Sequence, residues 1–418
     1  MTLQLENFGK IRHAEIELNG LTIVAGRNDT GKSTIGKALF AIVKSVSEYP
    51  ELYEKIKKDT TFFAIRSLCF DAIHDGLIRS NDTLYKEAKE IRNFLLNDDE
   101  SNLPPVAFSF IEHLVEFYKD KKGKDSIYFK KISAFKKYTD HKADAKEKFN
   151  EIAMAVFART FLSEINNSKQ FEDSSKACFN NEKECIAKVC FYKNNVTDAI
   201  FNESNKAYCF ADATFLDSPL YLDDRFHSEL YYSYDIKQKL SKAQKNISHS
   251  INPSIYKKID AVLDGATFSV NSERGEWCYS VSKEAKALSI SNIASGSKSF
   301  GALYAFIKSG VLEKDSILIL DEPENHLHPE WQIKYAEILA LMVSEGYYIL
   351  LTSHSPFFLQ ALRLYADKYG VLENKTHFYL AEKFNDGSNY SNIKDVTDKT
   401  EEIFANLAAP LDKLFMVD

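Results

Sequence analysis

The N-terminal part of the chain shows a regular pattern of apolar and polar positions. The runs LQLENFG (Leu3–Gly9) and HAEIEL (His13–Leu18) alternate with a period of two, which predicts two strands of a hairpin-like start. The run LTIVA (Leu21–Ala25) is continuously apolar, as expected for a buried strand. From Ser33 onwards, apolar residues recur every three or four positions, which predicts a helix. The pattern therefore predicts three strands, a short loop and a helix.

Buried strands are also predicted in the second half of the chain. The run SILIL (Ser316–Leu320) is apolar after its serine, and YYILL (Tyr347–Leu351) is continuously apolar. A shorter strand, ATFL (Ala213–Leu216), leads into a Ser-Pro turn. Towards the C-terminus the pattern predicts helices at 228–245 and 255–263, a hairpin at 266–281, strands at 375–383 and 391–396, and a closing helix at 401–415. Strands that alternate with helices indicate the α/β class.

The region between the first helix and these strands has mainly helical periodicity. It recurs in 56–70, 86–96 and 145–165, with polar breaks between the segments. No heptad repeat is sustained over several turns, so we expect a compact helical insertion instead of a long coiled coil. The sequence thus predicts one α/β domain, here called the head, that is interrupted by an insertion. Residues 1–47 are the N-terminal part of the head, 48–205 the mainly helical insertion, and 206–418 the rest of the head.

The loop between the third strand and the first helix carries a motif. Residues Gly26–Thr34 read GRNDTGKST and fit the spacing G-x-x-x-x-G-K-[ST], with a strand before and a helix after, as a phosphate-binding loop requires. Backbone N–H groups of such a loop hold phosphates, while its lysine, Lys32, reaches the β- and γ-phosphates and its serine, Ser33, takes a place on Mg²⁺. We therefore predict ATP and Mg²⁺ as ligands. The residues predicted to bind them are Gly26, Asn28, Asp29, Thr30, Gly31, Lys32, Ser33 and Thr34.

Three further polar residues follow the ends of predicted core strands. Asp321 and Glu322 come directly after SILIL, where an aspartate can reach the water shell of Mg²⁺ and a glutamate can polarise a water against the γ-phosphate. His354 follows the strand that begins at Tyr347, and it is placed to contact the γ-phosphate. Lys32, Glu322 and His354 are the predicted catalytic residues, and Ser33 and Asp321 are the predicted metal ligands.

Composition narrows the class of protein only a little. The chain has 418 residues, a net charge of −7 and 44% hydrophobic residues, which is ordinary for a globular protein. Its six cysteines include no C-x-x-C pair, so we expect thiols in a reducing compartment. No signal-peptide pattern and no apolar run long enough to span a bilayer occur, and we predict a cytoplasmic protein without membrane contact.

The stretch Lys119–Lys148 is strongly basic, with eleven lysines against five acidic residues and aromatic residues between them. Such a mixture is found on surfaces that bind nucleic acid. It is also typical of solvated amphipathic helices whose aromatic residues face a core, and we prefer that second interpretation. Docking of a partner is a third possibility.

The motifs GRNDTGKS, ILILDEPENHLHPEWQ and LLTSHSP occur in this order, and together they resemble the ATP-binding-cassette (ABC) class of P-loop ATPases, in its SMC-like, RecF-like and OLD-type branch. The resemblance implies an ABC-type ATPase head that dimerises around ATP, with a signature turn from one copy on the nucleotide of the other. The candidate turn is Ser295-Gly296, which departs from the usual Leu-Ser-Gly-Gly-Gln in its second glycine and its glutamine. The strand and turn that contain Phe8, Lys10 and Arg12 also resemble the nucleoside-side contact of the class, less closely than the motifs above resemble theirs.

Within this branch, the chain most resembles the ATPase subunit of Septu-type bacterial antiphage defence. That resemblance implies a homodimer or higher oligomer that scaffolds and regulates a separate nuclease, of the HNH type, with DNA as a possible further partner. No nuclease motif is present in the chain itself. Two alternatives stay open, namely a RecF-like DNA-repair clamp and a scaffold that binds ATP structurally. The glutamine-bearing loop of the class has no clear counterpart, and the Ser-Pro turn after Leu216 is the candidate for its place.

Overall fold

The computed structural model describes most of the chain. The described residues are 1–74, 82–97, 106–121, 132, 135, 141–166, 174–182, 184–218, 221, 230–243, 253–270, 277–281, 286–308, 310–384, 386 and 388–414. They form two compact units, a larger one made of Met1–Glu48 and Phe149–Asp418, and a smaller one made of Tyr49–Lys148. Most of the basic stretch Lys119–Lys148 and the turn of the predicted hairpin at 266–281 lie outside the described residues.

The helices and strands follow in chain order. The first segment of the larger unit contains β1 (Thr2–Phe8), β2 (Ile11–Glu17), β3 (Leu21–Gly26) and α1 (Lys32–Ser47). The smaller unit contains α2 (Glu51–His74), α3 (Asp82–Asn97) and α4 (Val106–Lys121). Then come α5 (Ala145–Phe161), β4 (Ser175–Asn181), β5 (Glu184–Tyr192), β6 (Asn195–Phe201), β7 (Ala213–Leu216), α6 (Tyr231–Ala243) and α7 (Pro253–Val262). The remainder comprises β8 (Thr267–Val270), β9 (Trp277–Ser280), β10 (Leu288–Ser289), α8 (Ser295–Lys308), β11 (Ile317–Asp321), α9 (Pro329–Ser344), β12 (Tyr348–Ser353), α10 (Pro356–Lys368), α11 (Leu372–Lys375), β13 (Thr376–Lys383), β14 (Ser391–Asp395) and α12 (Glu401–Leu414).

An 11-stranded sheet organises the larger unit, in the order β6-β5-β4-β1-β2-β14-β13-β3-β12-β11-β7. The strands from β13 to β7 are parallel to one another, and those from β6 to β2 are antiparallel. The carboxyl ends of parallel strands share one edge, where α/β folds bind their ligands. The loops after β3, β11 and β12 therefore meet at this edge. The observed sheet and helices confirm the predicted α/β class.

Helix α1 packs tightly on the parallel strands. Its residue Gly36 has no side chain, and a Cβ at that position would lie 2.8 Å from a ring carbon of Phe215 and 3.0 Å from Ile319 Cγ2. Phe40, one turn further on, is fully buried and its ring packs against those of Phe215 and Tyr232. This packing fixes the helix, and with it the loop that precedes the helix.

The smaller unit has a core of its own. Helices α2, α3 and α4 contribute buried aliphatic and aromatic side chains at helical spacing, as their amphipathic sequences predict. The core residues are Ile65, Leu68, Leu84, Ala88, Ile91, Ala107, Phe110, Ile111, Leu114 and Ile132. The three helices therefore share one hydrophobic core.

The described structure corrects the prediction for the end of the insertion, 48–205. Residues 175–201, predicted to be part of a mainly helical segment, form β4, β5 and β6, which extend the large sheet beyond β1. The strands β5 and β6 are joined by a two-residue turn, Lys193-Asn194, in which both residues have positive φ. Because this turn has no Gly, the usual Asn-Gly or Asp-Gly signal of such a hairpin is missing from the sequence. The smaller unit accordingly ends near Lys148.

Candidate functional site

The loop between β3 and α1 is folded back on itself. Gly31 has a φ of +84°, and a Cβ there would lie 3.2 Å from Ile11, so the position suits glycine for both reasons. The Thr30 hydroxyl donates to the Arg27 carbonyl at 2.8 Å, which closes the loop. The loop leads directly into the N-terminus of α1, and a helix N-terminus is a favourable site for anions.

Lys32 is the buried cation of this loop. Its side chain is 4% exposed, and its Nζ donates to the carbonyl oxygens of Gly26 and Arg27, both at 2.9 Å. The same Nζ lies 3.4 Å from Glu322 Oε1, on the loop after β11. Lys32 and Glu322, the predicted catalytic lysine and base, are therefore in contact although they are far apart in the sequence.

Asp321 ends β11 beside the first turn of α1. Its carboxylate accepts from the Thr352 hydroxyl at 2.6 Å and is hydrogen-bonded by Ser33. Burial raises the pKa of Asp321 above its ordinary value, and the hydrogen bonds oppose that rise only in part. A buried carboxylate next to a hydroxyl is a fitting pair of oxygen ligands for Mg²⁺, which keeps phosphate and water as its other ligands. Among the described residues, no group of three or more His, Cys, Asp or Glu side chains is arranged to hold a metal ion. The closely spaced His326 and His328 belong to no such group.

Glu322 is held by contacts on both carboxylate oxygens. Its Oε2 accepts from the Asn325 amide at 3.0 Å, and its Oε1 lies 3.2 Å from His354 Nδ1. Burial alone would raise the pKa of Glu322, but Asn325, His354 and Lys32 outweigh it and lower the pKa. The residue has a φ of +48°, a strained conformation of the kind that is often found at functional sites. An ionised carboxylate is thus fixed at the mouth of the loop.

A buried carboxyl supports His354 from behind. Glu324 is 3% exposed, and its Oε1 accepts from the Ser353 hydroxyl at 2.5 Å and from the His354 backbone N–H at 3.1 Å. Burial raises the pKa of Glu324. These bonds tie the end of β12 to the loop after β11, so Glu322 and His354 keep their separation.

A cavity of about 780 Å³ opens over the loop. Seven of the predicted ligand residues line it (Asn28, Asp29, Thr30, Gly31, Lys32, Ser33 and Thr34), as does Glu322. Gly26 lies behind the loop, where a Cβ would meet the Ala381 carbonyl at 2.5 Å. Other lining residues, which the sequence motifs do not indicate, come from the segment after α5 and from the β5–β6 turn: Glu164, Ile165, Asn166 and Asn194.

Two of the residues that the resemblance places near the nucleoside, Phe8 and Lys10, have different surroundings in the structure. Lys10 lines the cavity and forms an ion pair with Asp29. Phe8 is fully buried among Phe157, Phe161 and Phe191, because it belongs to the core-facing positions of β1. Its ring therefore belongs to the core of the unit.

Asp29 sits between two lysines. It accepts from Lys10 and, at 2.7 Å, from Lys383 at the end of β13. The hydrogen bond from Lys10 is the main cause, and that from Lys383 the next, of a pKa of Asp29 lowered to about 2. The loop thus carries a fixed negative charge that is paired with two lysines, of which Lys10 lines the cavity.

Ser295 and Gly296 lie at the start of α8 and do not line the cavity. Gly296 is backed by the Glu322–Trp331 segment, because a Cβ there would lie 3.2 Å from the Trp331 ring and 3.4 Å from Leu327. His328, in the same segment, caps α9 by accepting from the Glu330 N–H at 3.4 Å. The segment therefore joins the region of Glu322 to the start of α8.

The Ser-Pro turn after β7 also reaches the carboxyl edge. Asp217 lines a small cavity of about 80 Å³ together with Asp321 and Glu322, and its carboxylate accepts from the hydroxyls of Tyr221 at 2.5 Å and Tyr232 at 2.9 Å. The place considered for a glutamine-bearing loop thus presents a carboxylate to the site.

The fold and this arrangement define a candidate P-loop ATPase site: a closed loop with a buried lysine, a carboxylate–hydroxyl pair of the kind that Mg²⁺ accepts, and a second carboxylate next to the lysine. A family model described as an AAA ATPase domain matches residues 1–359, and the chain belongs to that family. A search of curated proteins gave no match.

The chain is also similar to solved SMC heads at low identity. One is an SMC head domain from Thermotoga maritima, with 13% identity, coverage of 94% of this chain and 98% of that chain, and a TM-score of 0.37. Another is an SmcHead bound to the C-winged helix domain of ScpA, with 12% identity, coverage of 94% of this chain and 97% of that chain, and a TM-score of 0.42. A third is an Smc head domain with an extended coiled coil, bound to the C-terminal domain of ScpA derived from Pyrococcus furiosus. It has 10% identity, coverage of 97% of this chain and 98% of that chain, and a TM-score of 0.33. These TM-scores are too low to support an argument beyond the family match.

The family match confirms the predicted class, an ATP-binding ATPase of the P-loop type. Among the described helices, none combines the length and the apolar character that crossing a bilayer requires.

Proposed function

We propose that this chain hydrolyses ATP as the regulatory ATPase subunit of a bacterial antiphage defence complex. It self-associates around ATP and scaffolds a separate nuclease, of the HNH type. One observation carries the hydrolytic part: the Glu322 carboxylate lies within 3.4 Å of the buried Lys32 ammonium and 3.2 Å of His354 at the open end of the cavity. This is the setting that a base acting on a water beside the γ-phosphate needs.

Each residue has a distinct part in the proposed reaction. Lys32 neutralises charge on the β- and γ-phosphates, and Glu322 accepts a proton from the attacking water. His354, held by the Glu324 carboxyl through its own backbone N–H, contacts the γ-phosphate. Ser33 and Asp321 hold Mg²⁺, which neutralises the charge that develops on the phosphates when it is bound.

Self-association is proposed from the position of the signature turn. Ser295 and Gly296 stand at the N-terminus of α8, a helix of 14 residues, and outside the chain's own cavity. A helix N-terminus attracts anions, so a second copy could supply the phosphate that this turn binds. The link from Glu322 through Trp331 to Gly296 would let one site respond to the other.

The defence role and the nuclease partner rest on the sequence resemblance. The stretches NIASGSKSF and DEPENHLHPEWQ, together with the strands and helix after His354, carry the likeness to Septu-type ATPases. Nucleotide state would then act on the partner through the self-associated form. ATP would select that form to the extent that it binds it more tightly than the single chain.

Self-association is tested by size-exclusion chromatography with light scattering, on the Glu322→Gln variant with Mg-ATP. We expect a dimer or larger oligomer with ATP and a smaller species without it. Adding Ser295→Arg should abolish the ATP-dependent form, while Ser204→Arg, an exposed residue away from the cavity, should leave it intact. If Ser295→Arg associates as readily as its control, the signature assignment is wrong.

The partner is tested by a tagged pull-down from the native operon with and without Mg-ATP, followed by mass spectrometry. Recovery of a small nuclease in proportions that change with ATP supports the proposal. Recovery of only this chain and DNA, with ATP turnover that DNA stimulates, would replace it with the RecF-like clamp. Self-association that needs ATP but persists without any turnover would favour the structural scaffold.

A further inference from the structure

The cavity is longer than the phosphate loop that forms its floor. Beyond the loop it is walled by residues from three distant parts of the chain: the β1–β2 turn at Gly9-Lys10, the segment after α5 at 164–166, and the β5–β6 turn at Asn194. A nucleotide whose phosphates occupy the loop must place its nucleoside against this wall. The identity of the wall residues therefore bears on which part of the nucleotide is recognised, and by what.

Contacts within the site give the direction in which the nucleotide lies. Glu322 and Lys32 mark the γ-phosphate end. At the other end of the loop stands Thr34, and a Cβ on Gly9 would lie 3.1 Å from its Cγ2 and 3.4 Å from the Ile165 carbonyl oxygen. The order from Glu322 to Lys32, Thr34 and Ile165 thus runs from the γ-phosphate towards the nucleoside. The group that follows the α-phosphate is the sugar, so the sugar meets the wall first.

The wall is built around a buried asparagine. Asn166 accepts from the Gly9 N–H through Oδ1 at 3.1 Å, and its amide donates to the Ser175 hydroxyl at 2.9 Å. Its backbone N–H donates to Asn194 Oδ1 at 2.6 Å. These three bonds join the β1–β2 turn, β4 and the β5–β6 turn at one residue that is 8% exposed. The neighbouring Glu164 is therefore carried by a rigid base.

The chain enters this wall through a strained turn. Leu162 and Ser163, directly after α5, both have positive φ, and neither is glycine. The turn is held by backbone bonds from Ser163 N–H to the Ala158 carbonyl at 2.8 Å and from Glu164 N–H to the Phe161 carbonyl at 2.9 Å. Non-glycine residues keep such conformations where the surrounding structure fixes them, and they concentrate at ligand-binding sites. Here the turn directs the chain so that Ile165 is buried while Glu164 stays at the cavity surface.

Glu164 is the acidic residue of this wall. Among the described residues, its side chain makes no hydrogen bond or ion pair, in contrast to Glu322 and Asp29 in the same cavity. A carboxylate accepts hydrogen bonds and donates none, and it repels phosphate. The uncharged part of the nucleotide with donor groups nearest to Ile165 is the sugar, through its hydroxyls.

We propose that the Glu164 carboxylate binds the ribose hydroxyls of the nucleotide and gives the site its preference for ribonucleotides. This inference rests on the ATP-hydrolysing function proposed above, because the direction of the nucleotide follows from the roles of Lys32 and Glu322. Glu164 is then a specificity residue: it selects the sugar, and the chemistry takes place at the other end of the cavity.

The test is nucleotide binding by calorimetry to the full chain, with ATP, 2′-deoxy-ATP, 3′-deoxy-ATP and the triphosphate of purine riboside. The proteins are the parent, Glu164→Ala, and the control Glu203→Gln, which removes an exposed charge away from the cavity. We expect the parent to bind ATP about tenfold more tightly than at least one deoxy analogue, as a hydrogen bond to a charged group predicts. Glu164→Ala should lose about that factor for ATP and keep the affinity for that analogue. The control should behave as the parent.

Other results overturn the inference. If Glu164→Ala binds ATP and both deoxy analogues with the parent's ratios, the carboxylate does not contact the sugar. If the variant loses discrimination only against the purine riboside nucleotide, Glu164 contacts the base. A Lys32→Ala variant separates this failure from failure of the ATPase assignment: Lys32-dependent binding with unchanged sugar preference overturns the Glu164 inference alone, and parent binding that does not depend on Lys32 overturns both.

Discussion

The two ends of the cavity are built in different ways. At the proposed phosphate end, ionisable side chains are packed against one another: Lys32, Glu322 and His354 lie within 3.4 Å of their neighbours, and Lys32 is 4% exposed. At the nucleoside end, neutral amides and backbone groups make the wall, and the one carboxylate, Glu164, has no ionic partner among the described residues. One end is an interdependent charge network, and the other is a polar surface.

This difference has consequences for substitutions. A buried ion that loses its partner costs far more than an exposed one, because the remaining charge is left without water. Changes at the phosphate end should therefore have large effects, on turnover where the proposed base is changed and on binding where the buried cation is removed. Changes at the nucleoside end and at the rim should shift affinity modestly and selectively.

Replacing Glu322 by Gln should have the largest effect. The amide keeps the shape and the Asn325 contact but accepts no proton, so we expect turnover to fall by about 10²- to 10⁴-fold. ATP affinity should stay close to that of the parent, because the P-loop remains intact. A single-turnover assay measures the rate of ATP hydrolysis, and an equilibrium titration measures the affinity for ATP separately. Glu373→Gln, an exposed residue outside the cavity, is the control, and equal rates in both variants would show that Glu322 is not the base.

Replacing Lys32 by Ala comes next. It removes the buried cation that binds the Gly26 and Arg27 carbonyls and faces Glu322, so phosphate loses its charge partner. We expect ATP affinity to fall about a hundredfold, as loss of charge-assisted hydrogen bonds predicts. Lys399→Ala, an exposed lysine, should leave affinity unchanged in the same titration. An affinity loss of similar size in both variants would mean that net charge, and not the loop, attracts the nucleotide.

Replacing Gly36 by Ala tests whether the phosphate end depends on the packing of α1. The new Cβ would lie 2.8 Å from the Phe215 ring and 3.0 Å from Ile319, contacts that require the helix or the strands to shift. Overpacking of this kind destabilises by about 1–3 kcal/mol. Denaturant unfolding should report the loss, and ATP affinity should fall with it because the loop is the start of the same helix. A variant more stable than the parent would show that α1 can move away from the sheet freely.

How well the sequence predicts each end follows from the same contrast. The phosphate end consists of local motifs: a nine-residue loop between a strand and a helix, and acids or a histidine at strand ends. Each motif is recognisable alone, and the parallel order of β3, β12 and β11 then brings them together. The positions of Lys32, Ser33, Asp321, Glu322 and His354 were therefore predictable, although their roles stay predictions.

The nucleoside end is not visible in the sequence, because it has no local motif. Glu164, Asn166 and Asn194 become neighbours only through the pairing of β4 with β1 and of β5 with β6. Strands β4, β5 and β6 were predicted as part of a helical insertion, since short polar and cysteine-containing runs such as that of β4 give weak periodicity. The Asp29–Lys383 pair has the same origin, because it joins residues 354 positions apart through the parallel register of β3 and β13.

Replacing Asp29 by Asn should have the smallest effect, and it should raise ATP affinity instead of lowering it. The pKa of Asp29 is lowered to about 2 from 3.8, so its ionised form stabilises the folded state fully above pH 3.8, and this contribution is lost as pH falls towards 2. Between pH 6 and 8 the carboxylate stays charged and holds Lys10 and Lys383. Asn tolerates the positive φ of +65° at this position, and it frees both lysines for the phosphates. We expect ATP to bind about two- to fivefold more tightly, with the gain constant from pH 6 to 8 and smaller in high salt. Weaker binding would mean that the ion pairs shape the loop for phosphate, and the rim would then belong to the interdependent end of the cavity.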